Sequence, residues 1–299
     1  MKTKVYRPPK NPTSSPGKKF ISVVMAYFNR PEVTLNTLRS INRSSYKNFE
    51  VIIVDDGSDP ELKISPHLTN EFNFPIKVIE IEKEKKLHTN SCVPYNKGFQ
   101  IATGDLVIIQ NPESLHVGDV LTFCNENIKQ NKYITFAAYS IGPEKLPELK
   151  KACLEADGLT KLVADVNYLF SPYEERNCDV NSLYSWYNHS KFRQAEYHFL
   201  SCMMREDLYD LGGFDEAFAD GLGFDDNEFI TRIRRKKMDR TIVDSPFCIH
   251  QYHDSASGHW SPEETVSRSI RNQMAFNSLF LPERINGWRA ENEQTPLKI

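Results

Sequence analysis

The 299-residue chain has no apolar run approaching the roughly eighteen residues of a membrane span, so no transmembrane helix is expected. It has no CxxC pair. Cys92, Cys124, Cys153, Cys178, Cys202 and Cys248 are scattered and read as reduced thiols of an intracellular protein, neither a zinc site nor a disulfide framework. The basic N-terminus MKTKVYRPPKNPTSSPGKKF lacks the apolar core of a signal peptide. Nor is there a large excess of one charge: the net charge is −3, and 39% hydrophobic with 26% charged residues fits a soluble globular protein. The charge is uneven, however. Residues 1–19 hold six Lys or Arg, four prolines and no acid, which predicts a flexible basic arm, either a solubilising tail or a tether for an anionic partner. The run RIRRKKMDR (232–240) closes a predicted helix, where cations complement the helix dipole, so nucleic-acid binding is not expected from it.

The length allows one large α/β domain or two small ones. ISVVMA (21–26), FEVIIVDDGSD (49–59), IKVIEIE (76–82), LVIIQ (106–110) and YITFAAY (133–139) read as strands. Between them lie helical patterns: Pro31 then Leu35, Leu38 and Ile41; Tyr95, Phe99 and Ala102; Val117, Leu121, Cys124 and Ile128. Strands separated by such helices form βαβ units, which predicts an α/β fold with a mainly parallel sheet flanked by helices. Ligands of these sheets bind beyond the carboxyl ends of the strands. That rule selects Ala26–Arg30, Asp55–Ser58 and Gln110–Glu113 and points to a nucleotide-type ligand. After residue 140 the pattern loosens. A strand at 197–204, a glycine-rich loop entering a helix that buries Phe229 and Ile233, a short strand at 247–253 and a terminal helix after Pro262 complete the reading.

Four stretches, ISVVMAYFNRPEVTLNTLRSI, NFEVIIVDDGSD, NKGFQIATGDLVIIQNPES and LGGFDEAFADGLGFDDNEF, resemble successive signatures of the family 2 inverting glycosyltransferases of GT-A (Rossmann-like) fold. The last, with CIHQYH after it, is also similar to the chondroitin-polymerase, β-1,4-galactosyltransferase and polypeptide N-acetylgalactosaminyltransferase branch. The likeness runs in order over residues 20–255, which sets the expected domain: 20–140 as the nucleotide-binding half, 141–255 as the acceptor and catalytic half, and 256–299 as a helical extension. It implies a nucleotide-sugar donor, usually a UDP-sugar, bound with Mn²⁺ or Mg²⁺, and attack by an acceptor hydroxyl with inversion.

By position, the resemblance implies that Ala26, Phe28 and Arg30 border the base and ribose, and that Asp56 accepts from uracil N3–H. Asp56 as a loop-capping residue is the alternative. Asn96 matches a donor-contacting position, but Tyr95 replaces the usual arginine beside it; Lys85 or Lys86 are substitutes for phosphate contact, or part of a solvated charge run. Relatives carry Asp-x-Asp where this chain has Asn111-Pro112-Glu113. Gln110 and Asn111 are then donor-binding residues, Asn111 toward ribose, and Glu113 is a hard oxygen ligand for the ion. His250 matches the family's C-terminal metal histidine, with His253 the alternative, and an imidazole favours Mn²⁺ over Mg²⁺. In GLGFDDNEF, Asp226 matches the general base and Asp225 an acceptor-binding or loop-supporting acid; both could instead cap the helix. Tyr184, Trp186, Tyr187 and Trp260 are candidates for stacking on acceptor sugars. A non-catalytic nucleotide-sugar-binding scaffold is the competing function. A nucleotidyltransferase would need a basic glycine-rich loop, and AYFNRPEV supplies none. The expected location is the cytoplasm, of a bacterium or in a virus-encoded setting.

Overall fold

Val23 and Met25 point to one face of their strand and Val24 to the other, and all three are fully buried. Such two-sided burial is what a parallel strand between helix layers requires, and it explains why these stretches are continuous apolar runs and not alternating ones. The computed structural model describes residues 2–6, 18–164, 177–178, 182–254 and 260–278. Its strands are β1 (Lys2–Tyr6), β2 (Ile21–Tyr27), β3 (Phe49–Asp55), β4 (Ile76–Glu80), β5 (Leu106–Gln110), β6 (Ser114–Val117), β7 (Lys132–Ser140), β8 (Trp186–Asn188), β9 (Leu200–Met204) and β10 (Asp239–His250). They form one sheet in the order β1-β4-β3-β2-β5-β9-β7-β10-β6, with β8 on β7. The strands β2, β3, β4, β5, β7 and β10 run the same way, while β9 lies antiparallel between β5 and β7. The α/β, GT-A type of architecture expected from the pattern is therefore the one adopted.

The helices are α1 (Pro31–Asn42), α2 (Cys92–Ile101), α3 (Val120–Asn127), α4 (Leu146–Leu154), α5 (Gly158–Ala164), α6 (Arg205–Leu211), α7 (Asp225–Arg235) and α8 (Pro262–Ser278). Leu38 and Ile41 of α1 pack on one sheet face with Val23, Met25 and Val51. Phe99 of α2 and Phe229 and Ile233 of α7 pack on the other with Val24, Ile52 and Val107. Gly98 permits the close approach of α2, since a Cβ there would lie 2.4 Å from Val24 Cγ1.

Three details differ from the expectation. Lys2–Tyr6, within the expected flexible arm, pair antiparallel with β4 as an edge strand, while residues 7–17 lie outside the described residues. Val117 belongs to β6 and not to the following helix, because Gly118 turns with φ +86° and Asp119 caps α3 through Thr122 N (3.2 Å). The last strand starts at Asp239 and stops at His250, leaving His253 beyond it. The basic run 232–240 is largely neutralised: Arg232 pairs with buried Glu228, Arg234 and Arg240 with Glu196, and Lys236 with Asp210. Of the C-terminal extension, 260–278 is described and helical from Pro262; 279–299 lies outside the described residues.

Candidate active site

The three polar clusters at the strand ends border one cleft of about 380 Å³. The β2 and β3 loops are stitched together: Asn29 N donates to Ser58 Oγ (3.0 Å), Asn29 Nδ2 to Asp59 Oδ2 (2.8 Å), and Asp59 N to Asn29 Oδ1 (2.8 Å). Asn29 takes φ 50°, a conformation asparagine tolerates better than most residues. The adjacent aspartates divide the labour. Asp55 is buried and accepts from Ser58 N (3.0 Å), closing its own loop, so it is the loop-capping acid. Asp56 lines the cleft with Ala26, Phe28 and Arg30. Its Oδ2 takes Lys86 Nζ at 2.7 Å and its Oδ1 meets His88 Nε2 at 2.6 Å. Lys86 also stands 4.6 Å over the Phe28 ring, whereas Lys85 stays in solvent on Glu82.

At the end of β5, Glu113 is 3% exposed yet charged. Arg30 donates to its Oε2 at 2.9 Å, and His250 Nε2 and His253 Nε2 lie 3.4 and 3.5 Å from its Oε1. Burial pushes this carboxyl up, but Arg30 and the two histidines outweigh it and hold it well below the usual carboxylate range. Burial is also the main influence on His250, which it keeps below its ordinary value and thus neutral. One carboxylate oxygen and two imidazole nitrogens within 4.8 Å of one another make a hard-plus-borderline donor set that suits Mn²⁺. The structure thus brings both histidines, the alternative as well as the first choice, to Glu113.

A backbone partner fixes one nitrogen of His253. Asp254 O can only accept, so His253 Nδ1–H donates to it (2.8 Å), while Nε2 stands 3.2 Å from Arg30 Nη1 and 3.5 Å from Glu113 Oε1. A neutral imidazole with its other nitrogen on a backbone carbonyl is the form that binds metals. Nε2, the nitrogen that would meet an ion, thus faces both Arg30 and Glu113.

Tyr95, in the place of the usual arginine, is fully buried. Its hydroxyl lies 2.9 Å from Gln110 O and 3.0 Å from Asn111 Oδ1. It anchors the turn after β5 and leaves the Asn111 amide N–H₂ as the end free for the cleft. Two expected donor contacts are corrected. Asn96 is fully buried and ties α2 to the loop after α6, giving Nδ2 to Phe214 O (2.8 Å) and accepting from Phe214 N (2.9 Å). The Gln110 side chain is also fully buried, donating to Ser114 O (2.8 Å) and meeting His116 Nε2 (3.0 Å). Neither side chain lines the cleft, because each has spent its polar groups on holding a loop.

The opposite wall is the start of α7. Gly223 and Phe224 both turn with φ +66°, so the chain enters the helix sharply and presents Asp225 and Asp226 together. Asp225 is buried and accepts from Asn90 Nδ2 (2.9 Å). Burial, then the charge of Asp226, push its carboxyl up to about 6, against the opposing pull of His198 and of Asn90. The Asp226 side chain is 30% exposed and lines the cleft. Its Oδ1 is in ion-pair contact with His198 Nδ1. Trp260 also lines the cleft, under the Arg268 guanidinium at 4.7 Å. Helix α8 braces the glycine loop: Asn272 Nδ2 donates to Gly223 O (2.7 Å) and Arg268 O accepts from Leu222 N (3.1 Å). The other aromatic candidates lie elsewhere. Trp186 is buried against Tyr139, Tyr187 packs on His250 at 5.0 Å, and Tyr184 sits under Lys145 at 5.1 Å.

Sequence reasoning missed His88, Asn90 and His198. His88 and Asn90 follow the charge run at 82–86 and carry no motif; His198 opens the strand motif YHFLSCMM, where its ring reads as one more residue of the strand.

Residues 22–160, just under half the chain, match the family model Glycosyl transferase family 2. The amylovoran biosynthesis glycosyltransferase AmsB of Erwinia amylovora is 40% identical over 86 residues, 29% of this chain and 28% of AmsB. The EpsE protein of Bacillus subtilis is 31% identical over 117 residues, 38% of each chain. The match thus spans under two fifths of either relative. The crystal structure of S. aureus TarS 1–349 in complex with UDP-GlcNAc is similar with a TM-score of 0.53 at 14% identity, covering 92% of this chain and 71% of that one, a likeness of fold.

Proposed function

We propose that this chain, with a family 2 glycosyl transferase match over residues 22–160, moves a sugar from a nucleotide-sugar donor, a UDP-sugar, to an acceptor hydroxyl with inversion. One observation carries the reading: a single cleft is lined by the carboxylate of Asp56, by Glu113, the carboxylate of a metal-type donor set, and by the partly exposed Asp226 on the facing wall. Asp56 keeps lone pairs beyond those shared with Lys86 and His88, so it can accept uracil N3–H. Ala26, Phe28 and Arg30 border the base and ribose, and the Asn111 amide donates toward a ribose hydroxyl or phosphate. Glu113, His250 and His253 hold the divalent ion, Mn²⁺ in preference to Mg²⁺; His250 is the residue that likens the C-terminal motif to the galactosyltransferase branch. Bound there, the ion supplies positive charge to the donor's diphosphate.

Asp226 takes the proton of the acceptor hydroxyl as that oxygen bonds to the anomeric carbon from the face opposite the phosphate. The anomeric C–O bond breaks, its electron pair leaves with the diphosphate, and the configuration inverts. Asp225, buried beside it, braces the acceptor side through Asn90, and the face of Trp260 offers a platform for a sugar ring. No described helix is long and apolar enough to cross a membrane.

The test is UDP release from a panel of UDP-sugars, with and without Mn²⁺, by the unaltered chain and by Asp226→Asn. Mn²⁺-dependent release is expected from at least one donor, with a fall of about 10³-fold in Asp226→Asn and UDP affinity retained. UDP binding without turnover of any donor would instead establish a non-catalytic nucleotide-sugar-binding protein. The internal ion pairs that already satisfy Asp56 and Glu113 in the ligand-free chain are the observation that favours this second reading.

A further inference from the structure

His198 carries no role in the mechanism above, yet it lines the cleft while being 5% exposed. Burying an imidazole costs free energy unless its nitrogens are used. Its surroundings fix it tightly. The edge of the Tyr95 ring meets it at 5.1 Å with the planes 86° apart, and Phe214 closes the other side at 4.8 Å. Between these walls Nδ1 is in ion-pair contact with Asp226 Oδ1, the same oxygen that the His198 backbone N–H approaches at 3.4 Å. Asp226 Oδ2 makes no hydrogen bond to the described residues.

We propose that His198 is a positioning residue for the proton-accepting carboxylate. Its imidazole and backbone N–H hold Asp226 Oδ1, which leaves Oδ2 as the oxygen presented to the acceptor hydroxyl. The inference rests on Asp226 accepting that proton.

Two features of the site explain why an imidazole stands there. Asp225 and Asp226 are neighbours, and the side chain that donates to Asp225 among the described residues is the neutral amide of Asn90. A donor that can carry positive charge lets the pair stay in place without ionised oxygens facing each other uncompensated. The charged groups acting on His198 are Asp226 and Asp225 of α7 and Glu113 beyond β5. Tyr95 and Phe214 present ring surfaces, with the Tyr95 hydroxyl engaged at Gln110 and Asn111. Burial disfavours its protonation, but the three carboxylates outweigh burial and raise its affinity for a proton above the ordinary value. A hydroxyl of Ser or Thr in this position could donate but not balance charge.

The proposal is tested with His198→Ala, His198→Asn and His198→Gln in the full chain. UDP release is followed with the UDP-sugar that turns over best, and UDP affinity is measured by calorimetry. Asn places an amide N–H near the Nδ1 position, and Gln reaches toward Nε2 instead. His198→Ala is expected to lose about 100-fold in kcat with donor KM and UDP affinity within about twofold. His198→Asn is expected to recover about tenfold of that loss and to shift the acid limb of the kcat–pH profile, since an amide does not titrate; His198→Gln is expected to recover none. Should the Ala variant fail to fold, the difference between Asn and Gln decides alone. The proposal is overturned if all three variants keep kcat and its pH profile unchanged while Asp226→Asn is inactive, or if Asn and Gln are equally impaired. If Asp226→Asn itself stays active, the glycosyl-transfer mechanism through Asp226 falls, and this inference with it.

Discussion

The two ends of the cleft handle buried carboxylates in opposite ways. At the β5 end, Glu113 faces one guanidinium and two imidazoles and is held ionised well below the usual range. At the α7 end, Asp225 and Asp226 face each other, with one histidine and one amide for compensation, and Asp225 is pushed up to about 6. Burial acts on both ends; the partners decide the outcome. An acid matched by cations becomes a fixed charge, suited to holding an ion or a diphosphate. An acid matched by another acid, as Asp225 is, holds its proton to higher pH.

The difference is most strongly broken by Glu113→Ala. That change leaves Arg30, with 15% of its side chain exposed, without its carboxylate. A loss of about 3 kcal/mol in unfolding free energy is expected, together with loss of Mn²⁺ binding, read by denaturant titration and by manganese EPR. Unchanged stability and Mn²⁺ affinity would remove this end from the site.

The second test concerns the acid end and its sign. Asp225 has a folded pKa near 6, above its ordinary 3.8, so between about pH 4 and 6 the folded chain binds more protons than the unfolded one. The Asp225 contribution therefore makes stability fall as pH rises through that window and levels off above it. Asp225→Asn keeps an acceptor oxygen for Asn90 and removes the charge. It is expected to raise stability at pH 7 by on the order of 2 kcal/mol and to flatten the slope between pH 4 and 6. A variant less stable than the parent at pH 7, with the slope retained, would show that Asp225 is not the strained acid.

The smallest effect sharpens the β5 end. Arg30 Nη1 places its positive charge 3.2 Å from His253 Nε2, the nitrogen an ion would use, so Arg30→Gln is expected to tighten Mn²⁺ binding without nucleotide by about tenfold, or 1.4 kcal/mol. Mn²⁺ should then raise the unfolding midpoint of the variant more than that of the parent. Weaker binding would mean that Arg30 supports the ligands instead of competing for them.

Much of this was legible from residue order. The strand-end rule selected Ala26–Arg30, Asp55–Ser58 and Gln110–Glu113, and all three border the cleft, because parallel strands bring their carboxyl ends to one edge whatever lies between them. The acids of GLGFDDNEF came to the same place from over 100 residues away. Less legible was which polar residue of each cluster faces inward. Lys86 reads as one charge of a run, yet it turns onto Asp56 while Lys83 and Lys85 pair with the more exposed Asp59 and Glu82. Asn96 carries a donor-binding position in its motif, yet it is consumed by the backbone of Phe214.

The sequence by itself determined the α/β class, the sheet edge that holds the cleft and the kinds of side chain available there. These depend on apolar periodicity and local turn chemistry, which neighbouring residues settle between themselves. Tertiary structure alone decided that Arg30, Glu113 and His253 share one charge balance, although Arg30 lies 83 residues from Glu113 and 223 from His253. It likewise decided that His198 belongs to Asp226. The charge state and aim of a buried group depend on the partners that packing delivers, and those partners come from elements with no local relation to it.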